Sequence, residues 1–148
     1  MVKLKRAKKV VKWKVDNQNP LTSENQNDEE KVVKCKVEYI NSALNITITN
    51  DSEDTIITGY GEFRLYKKQG EEWGEGISEG LTYIVEEVAI ILEKGKSIQY
   101  SIPFYLTTEN DKLVTVENPL KPGEYKYIHY YNVEGGEKKS TECLFEVK

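Results

Sequence analysis

Residues 32–52 decide the fold: Val32-Val33-Lys34-Cys35-Lys36-Val37-Glu38-Tyr39-Ile40-Asn41-Ser42-Ala43-Leu44-Asn45-Ile46-Thr47-Ile48-Thr49-Asn50-Asp51-Ser52. Val33, Cys35, Val37 and Tyr39 fall on one side of an extended chain, and Lys34, Lys36 and Glu38 on the other. Successive side chains of a strand point to opposite faces, so this period of two predicts a strand with one buried face. Asn41-Ser42 marks a turn, after which Leu44, Ile46 and Ile48 alternate with Asn45, Thr47 and Thr49. Asn50-Asp51-Ser52 closes the second strand, since short polar side chains hydrogen-bond nearby backbone in turns.

The same pattern continues downstream. Phe63 and Leu65 open a strand that Lys68-Gln69-Gly70 turns towards Trp73, and residues 74–80 read as an irregular loop. Strands are expected over residues 81–85 and 88–92, then a turn at Glu93-Lys94-Gly95-Lys96. Ile98, Tyr100 and Ile102 alternate up to Pro103. Residues 107–119 form a connection with one short strand near 113–116, and Pro122-Gly123 is a turn. Tyr125, Tyr127, His129 and Tyr131 then share a strand face. Gly135-Gly136 makes a hairpin to a last strand on which Cys143, Phe145 and Val147 point one way. Seven to nine short strands, with turns at roughly 8–12-residue spacing, predict an all-β sandwich.

Upstream, Val11, Trp13 and Val15 alternate with Lys12 and Lys14, a further candidate strand, and residues 16–30 are a polar linker. The expected organisation is a basic arm over residues 1–30 and one sandwich domain over residues 31–148. A chain of 148 residues hides roughly 70% of its unfolded surface, enough for a real core.

Charge separates arm from body. Seven of the 21 basic residues and none of the 25 acidic ones lie in residues 1–14, which leaves the arm at +7 and the rest at −11. An acidic body disfavours nucleic acid, whose phosphates supply most non-specific affinity. The arm is suited to an anionic surface or to the acidic body itself. No stretch approaches the ~20 apolar residues of a membrane helix, and the basic start is no signal peptide. Two placements stay open: cytoplasmic, or extracytoplasmic at the cell envelope if Met1 follows a removed signal.

Chemistry is sparse. His129 is the only histidine, and no Gly-x-Ser-x-Gly nucleophile turn exists to pair with it. Two cysteines and one histidine fall a ligand short of a structural zinc site. The acidic clusters around Asp51, Asp28 and Glu71 lack the Asp-x-Asp-x-Asp-Gly spacing of a calcium loop. Gly59-x-Gly61 and Gly74-x-Gly76 precede no helix, and Glu62, Glu75 and Glu79 would repel an anion. No cofactor, metal or catalytic set is expected. Trp73, Tyr125, Tyr127 and Tyr131 are the candidate binding surface, since exposed aromatic rings stack on sugars or peptides. As a core face the three tyrosines would instead fill the sandwich. Val11, Trp13 and Val15 are a candidate donated strand for self-association.

Four pieces in order carry a resemblance: Ile46-Thr47-Ile48-Thr49-Asn50-Asp51-Ser52, then Phe63-Arg64-Leu65-Tyr66-Lys67-Lys68 ending at Trp73. Leu92-Glu93-Lys94-Gly95-Lys96-Ser97 and Leu120-Lys121-Pro122-Gly123-Glu124-Tyr125 complete it. Together they resemble the bacterial Ig-like domains of Gram-positive envelope proteins, over about three quarters of the chain. The resemblance implies an immunoglobulin-like sandwich that binds a protein or polysaccharide without catalysis, with Tyr125 as a structural tyrosine corner. First and last strands often neighbour each other in such sandwiches, so Cys35 and Cys143 become candidates for a disulfide; two buried thiols are the alternative. The order of features, with the ending Phe145-Glu146-Val147-Lys148, is also similar to the small intracellular serine-protease inhibitors of bacilli. That second family implies an inhibitory loop at residues 74–80 or 107–119.

Overall fold

The computed structural model describes residues 31–78 and 80–148, together with the backbone course of residues 8–12. All regular structure among them is β. Thirteen strands follow in order: β1 (Lys8–Lys12), β2 (Val33–Ile40), β3 (Ala43–Asn50), β4 (Ile56–Thr58), β5 (Phe63–Gln69), β6 (Glu72–Glu75) and β7 (Leu81–Thr82). Next come β8 (Glu87–Leu92), β9 (Ser97–Pro103), β10 (Tyr105–Thr107), β11 (Leu113–Thr115), β12 (Gly123–Val133) and β13 (Lys138–Val147). The count exceeds the expected seven to nine because β4, β7, β10 and β11 have only two or three residues each, too few to show a period.

One sheet is β2-β3-β9, antiparallel throughout. Its inner face carries Leu44, Ile46, Ile48, Ile98 and Ile102, all buried. The larger sheet is built on β12, which pairs β13 along one edge and both β5 and β4 along the other. Beyond these lie β6 against β5, and β8 against β4. The inner faces of the two sheets share one hydrophobic core that includes Ile56, Phe63, Leu65, Ile90, Leu92, Tyr125 and Tyr127. A third, small sheet, β7-β10-β11, stands at one side.

The outer edge of β12 contains a step that the sequence conceals. Ile57 lies opposite Asn132, yet Phe63 lies opposite His129, so three residues are looped out between β4 and β5. Gly59 sits there because a Cβ would come within 2.9 Å of the Val88 carbonyl oxygen. This step sends β4 towards β8 and β5 towards β6, forking the sheet.

Asn50 fastens the first hairpin to the rest. Its buried amide donates to the carbonyls of Leu92 and Asp54 at 2.9 and 2.8 Å, while its oxygen accepts from the Ser52 backbone and hydroxyl. The Asn-Asp-Ser turn thereby locks the end of β3 to the end of β8.

The arm strand departs from its expected bounds. β1 spans Lys8–Lys12 and lies parallel to β8, pairing Val11 with Ile90. Trp13 and Val15 lie outside the described residues. No helix among the described residues is long and apolar enough to cross a membrane.

Candidate functional site

Burial decides between surface and core for the tyrosine stripe, in favour of core. Tyr125, Tyr127 and Tyr131 are 1%, 0% and 8% exposed and face the opposite sheet. Rings so placed have no free face for a ligand, and they serve as core. Tyr125 also donates its hydroxyl to the Lys121 carbonyl at 2.7 Å, across the Pro122-Gly123 turn. Burial pushes its phenol up to about 12. The ring stacks on Phe145 at a centroid distance of 5.3 Å.

The histidine is equally enclosed, at 0% exposure. Thr58 Oγ1 donates its single proton to the Tyr130 carbonyl at 2.7 Å, so it must accept from His129 Nε2 at 2.8 Å. The ring therefore carries its proton on Nε2, and Nδ1 accepts from Tyr127 Oη at 2.8 Å. Tyr127 Oη in turn lies 3.3 Å from Tyr100 Oη. This chain gives every buried polar atom a partner without placing a charge in the core. Burial lowers the His129 pKa to about 3, so the ring is neutral at neutral pH and inaccessible to substrate.

Sequence reasoning missed the exposed outer face of the larger sheet. Cross-strand register arranges it in rows. Glu75, Tyr66, Lys126 and Leu144 form one, running from β6 across β5 and β12 to β13. Trp73, Lys68, Glu124 and Glu146 form the next, and Arg64, Ile128 and Glu142 the third. Of the four residues named as a candidate surface, Trp73 alone belongs here. Lys126 holds its ammonium 4.7 Å from the Trp73 ring centroid, a cation–π contact. Lys68 bridges to Glu124 at 3.6 Å. Leu144 stands 67% exposed in this charged field, the most exposed large apolar side chain among the described residues. Its cross-strand neighbour is Lys126, and Glu142 and Glu146 flank it on the same face of β13.

The two segments suggested for protease inhibition each lie partly within a sheet. Gly74 and Glu75 belong to β6, and Gly76 N–H donates to the Leu65 carbonyl at 3.1 Å. Residues 107–119 include a hairpin between β10 and β11, whose tip is tied by Thr108 Oγ1 accepting from Asn110 and Lys112 N–H. The acidic turns are engaged as ion pairs: Glu53 with Lys94 and Lys31, Asp51 with Lys34. Among the described residues no group of three potential metal ligands converges.

Cys35 and Cys143 are thiols in this structure, half-buried against the core on the facing strands β2 and β13. They hydrogen-bond to each other. No family model, curated protein or solved structure matches this chain.

Proposed function

We propose that this chain is a non-enzymatic binding module of the immunoglobulin-like class that docks a protein partner on the outer face of β6-β5-β12-β13. The carrying observation is Leu144, an exposed apolar residue that shares a cross-strand row with Lys126, Tyr66 and Glu75 on the outer face. A polysaccharide is favoured less, because the Lys126 ammonium covers the Trp73 ring that a sugar would stack on.

Two features support the immunoglobulin-like assignment. The strand orders β2-β3-β9 and β13-β12-β5-β6 are similar to A-B-E and G-F-C-C′, with β4, β8 and β1 as additions to the second sheet. The Tyr125 hydroxyl bond to upstream backbone is of tyrosine-corner type. With the envelope-domain resemblance of the sequence, these favour a bacterial envelope setting over a cytoplasmic inhibitor. The sealed state of His129, both of whose ring nitrogens are occupied, supports a reading without histidine-based catalysis.

Strand exchange is a second reading, favoured by one observation: β1 adds to the free edge of β8 in parallel, a geometry that a second copy could reproduce. Sedimentation at rising concentration tests it, and a mass unchanged at every concentration refutes it.

The docking reading is tested by co-sedimentation of tagged protein with envelope extract of the source cell. The Trp73→Ala/Leu144→Asp variant should lose the co-sedimenting partner, while Lys36→Ala/Gln99→Ala on the opposite sheet should keep it. Equal retention by both would overturn the reading.

A further inference from the structure

The sandwich has one side where its two sheets meet without hydrogen-bonded pairing. There β2, the edge of the β2-β3-β9 sheet, packs against β13, the edge of the larger one. Cys35 is on β2 opposite Ile48, and Cys143 is on β13 opposite Tyr127. Both side chains pack on the core yet stay partly open to solvent. The two thiols face each other across the gap between the two sheets.

We propose that Cys35 and Cys143 form a redox-active dithiol that closes into a disulfide clasping the two sheets, with Cys143 as the attacking sulfur. This does not depend on the docking face, which lies on the other surface of β13.

The order of attack follows from what surrounds each sulfur. Cys143 accepts from the Cys35 thiol and from the Val37 backbone N–H, and these bonds lower its pKa against the raising effect of partial burial. Hydrogen bonds to the charged form favour it, so Cys143 carries the thiolate character. Cys35 donates its proton to Cys143 and is partly desolvated, and these hold its pKa well up against the lowering effect of a hydrogen bond from the Thr141 side chain. Glu142, the charged group next to the pair on β13, opposes ionisation of both.

The co-reactant is a low-molecular-weight disulfide, R–S–S–R. The Cys143 thiolate, its proton lost to solvent, attacks one sulfur and expels RS⁻, leaving a mixed disulfide on Cys143. Cys35 then gives its proton to that RS⁻ and attacks the Cys143 sulfur, expelling the second RS⁻, which takes up the solvent proton. Two protein thiols are oxidised to one disulfide, and one small disulfide is reduced to two thiols.

The test uses the folded full-length chain and oxidised glutathione, followed by alkylation and intact mass. The wild type should convert to an intramolecular disulfide free of glutathione. Cys35→Ser should stop at one glutathione on Cys143, and Cys143→Ser should form its adduct at least tenfold more slowly. The oxidised wild type should also melt about 10–20 °C higher than the reduced form, as a loop of about 100 residues closed in the unfolded state implies. Thiols that react only after unfolding, or stable adducts on wild type, would overturn the clasp. Equal rates in the two serine variants would overturn the role of Cys143.

Discussion

Acidifying the solution should destabilise this protein through one identifiable residue. Folded His129 has a pKa near 3, against 6.5 for the free side chain. Between these values the unfolded chain binds a proton that the folded chain refuses. The stabilisation is therefore fully present above pH 6.5 and is lost as pH falls towards 3, at about 1.4 kcal/mol per pH unit. From pH 7 to pH 4.5 the loss from His129 alone comes to roughly 2.5 kcal/mol. Its nearest polar neighbours are hydroxyls, of Thr58 from β4 and Tyr127 beside it on β12, so no carboxylate compensates. The assay is urea unfolding followed by tryptophan fluorescence at half-unit pH steps, with His129→Gln as reference. Carboxylates such as Glu53, held low by Lys94 and then Lys31, lose their pairing in both proteins and cancel in the difference. The wild type should lose stability faster than the variant below pH 6.5. If the variant does not fold, the imidazole resonances of the sole histidine should stay unchanged down to pH 4. Parallel pH profiles, or a ring titrating near 6.5, would refute the buried neutral histidine.

Three further outcomes follow from the packing. Asn50→Ala strips two carbonyls of their donor and should cost about 2–4 kcal/mol in denaturant melts. Tyr125→Phe removes only the bond to the Lys121 carbonyl, so a loss of about 1 kcal/mol is expected; no loss would mean the bond contributes nothing net. Ile46→Ala, in a fully buried position, should cost about 2–5 kcal/mol, whereas Leu144→Ala should change stability by less than about 0.5 kcal/mol. That contrast separates a core side chain from one kept for the surface.

The strands that were legible in the sequence are those long enough to repeat. Residues 33–39, 44–48, 98–102 and 125–131 show their period of two directly, and each presents the expected face inward. β4 and β10 escaped because three residues cannot display alternation. The three-residue step between β4 and β5 arises from pairing with β12, some 70 positions away, and no local signal encodes it. The tyrosine stripe was legible as a stripe, but not as core or surface, since the period is the same for both; only the opposite sheet decides. For the same reason the make-up of the outer face was invisible: Tyr66, Lys126 and Leu144 share a row through register alone. The N-terminal strand was sensed from Val11-Lys12-Trp13 alternation, yet its pairing partner β8 could not be read locally.

The proposed docking of a partner on the outer face carrying Leu144 is tested directly by site-specific photocrosslinking: a photoreactive residue placed at Leu144, and in a separate protein at Gln99 on the opposite sheet, each irradiated in envelope extract. A single discrete protein adduct from position 144, absent from position 99 and lost when Trp73 is changed to Ala, is the predicted result. The same adducts from both positions, or none from position 144, would contradict it.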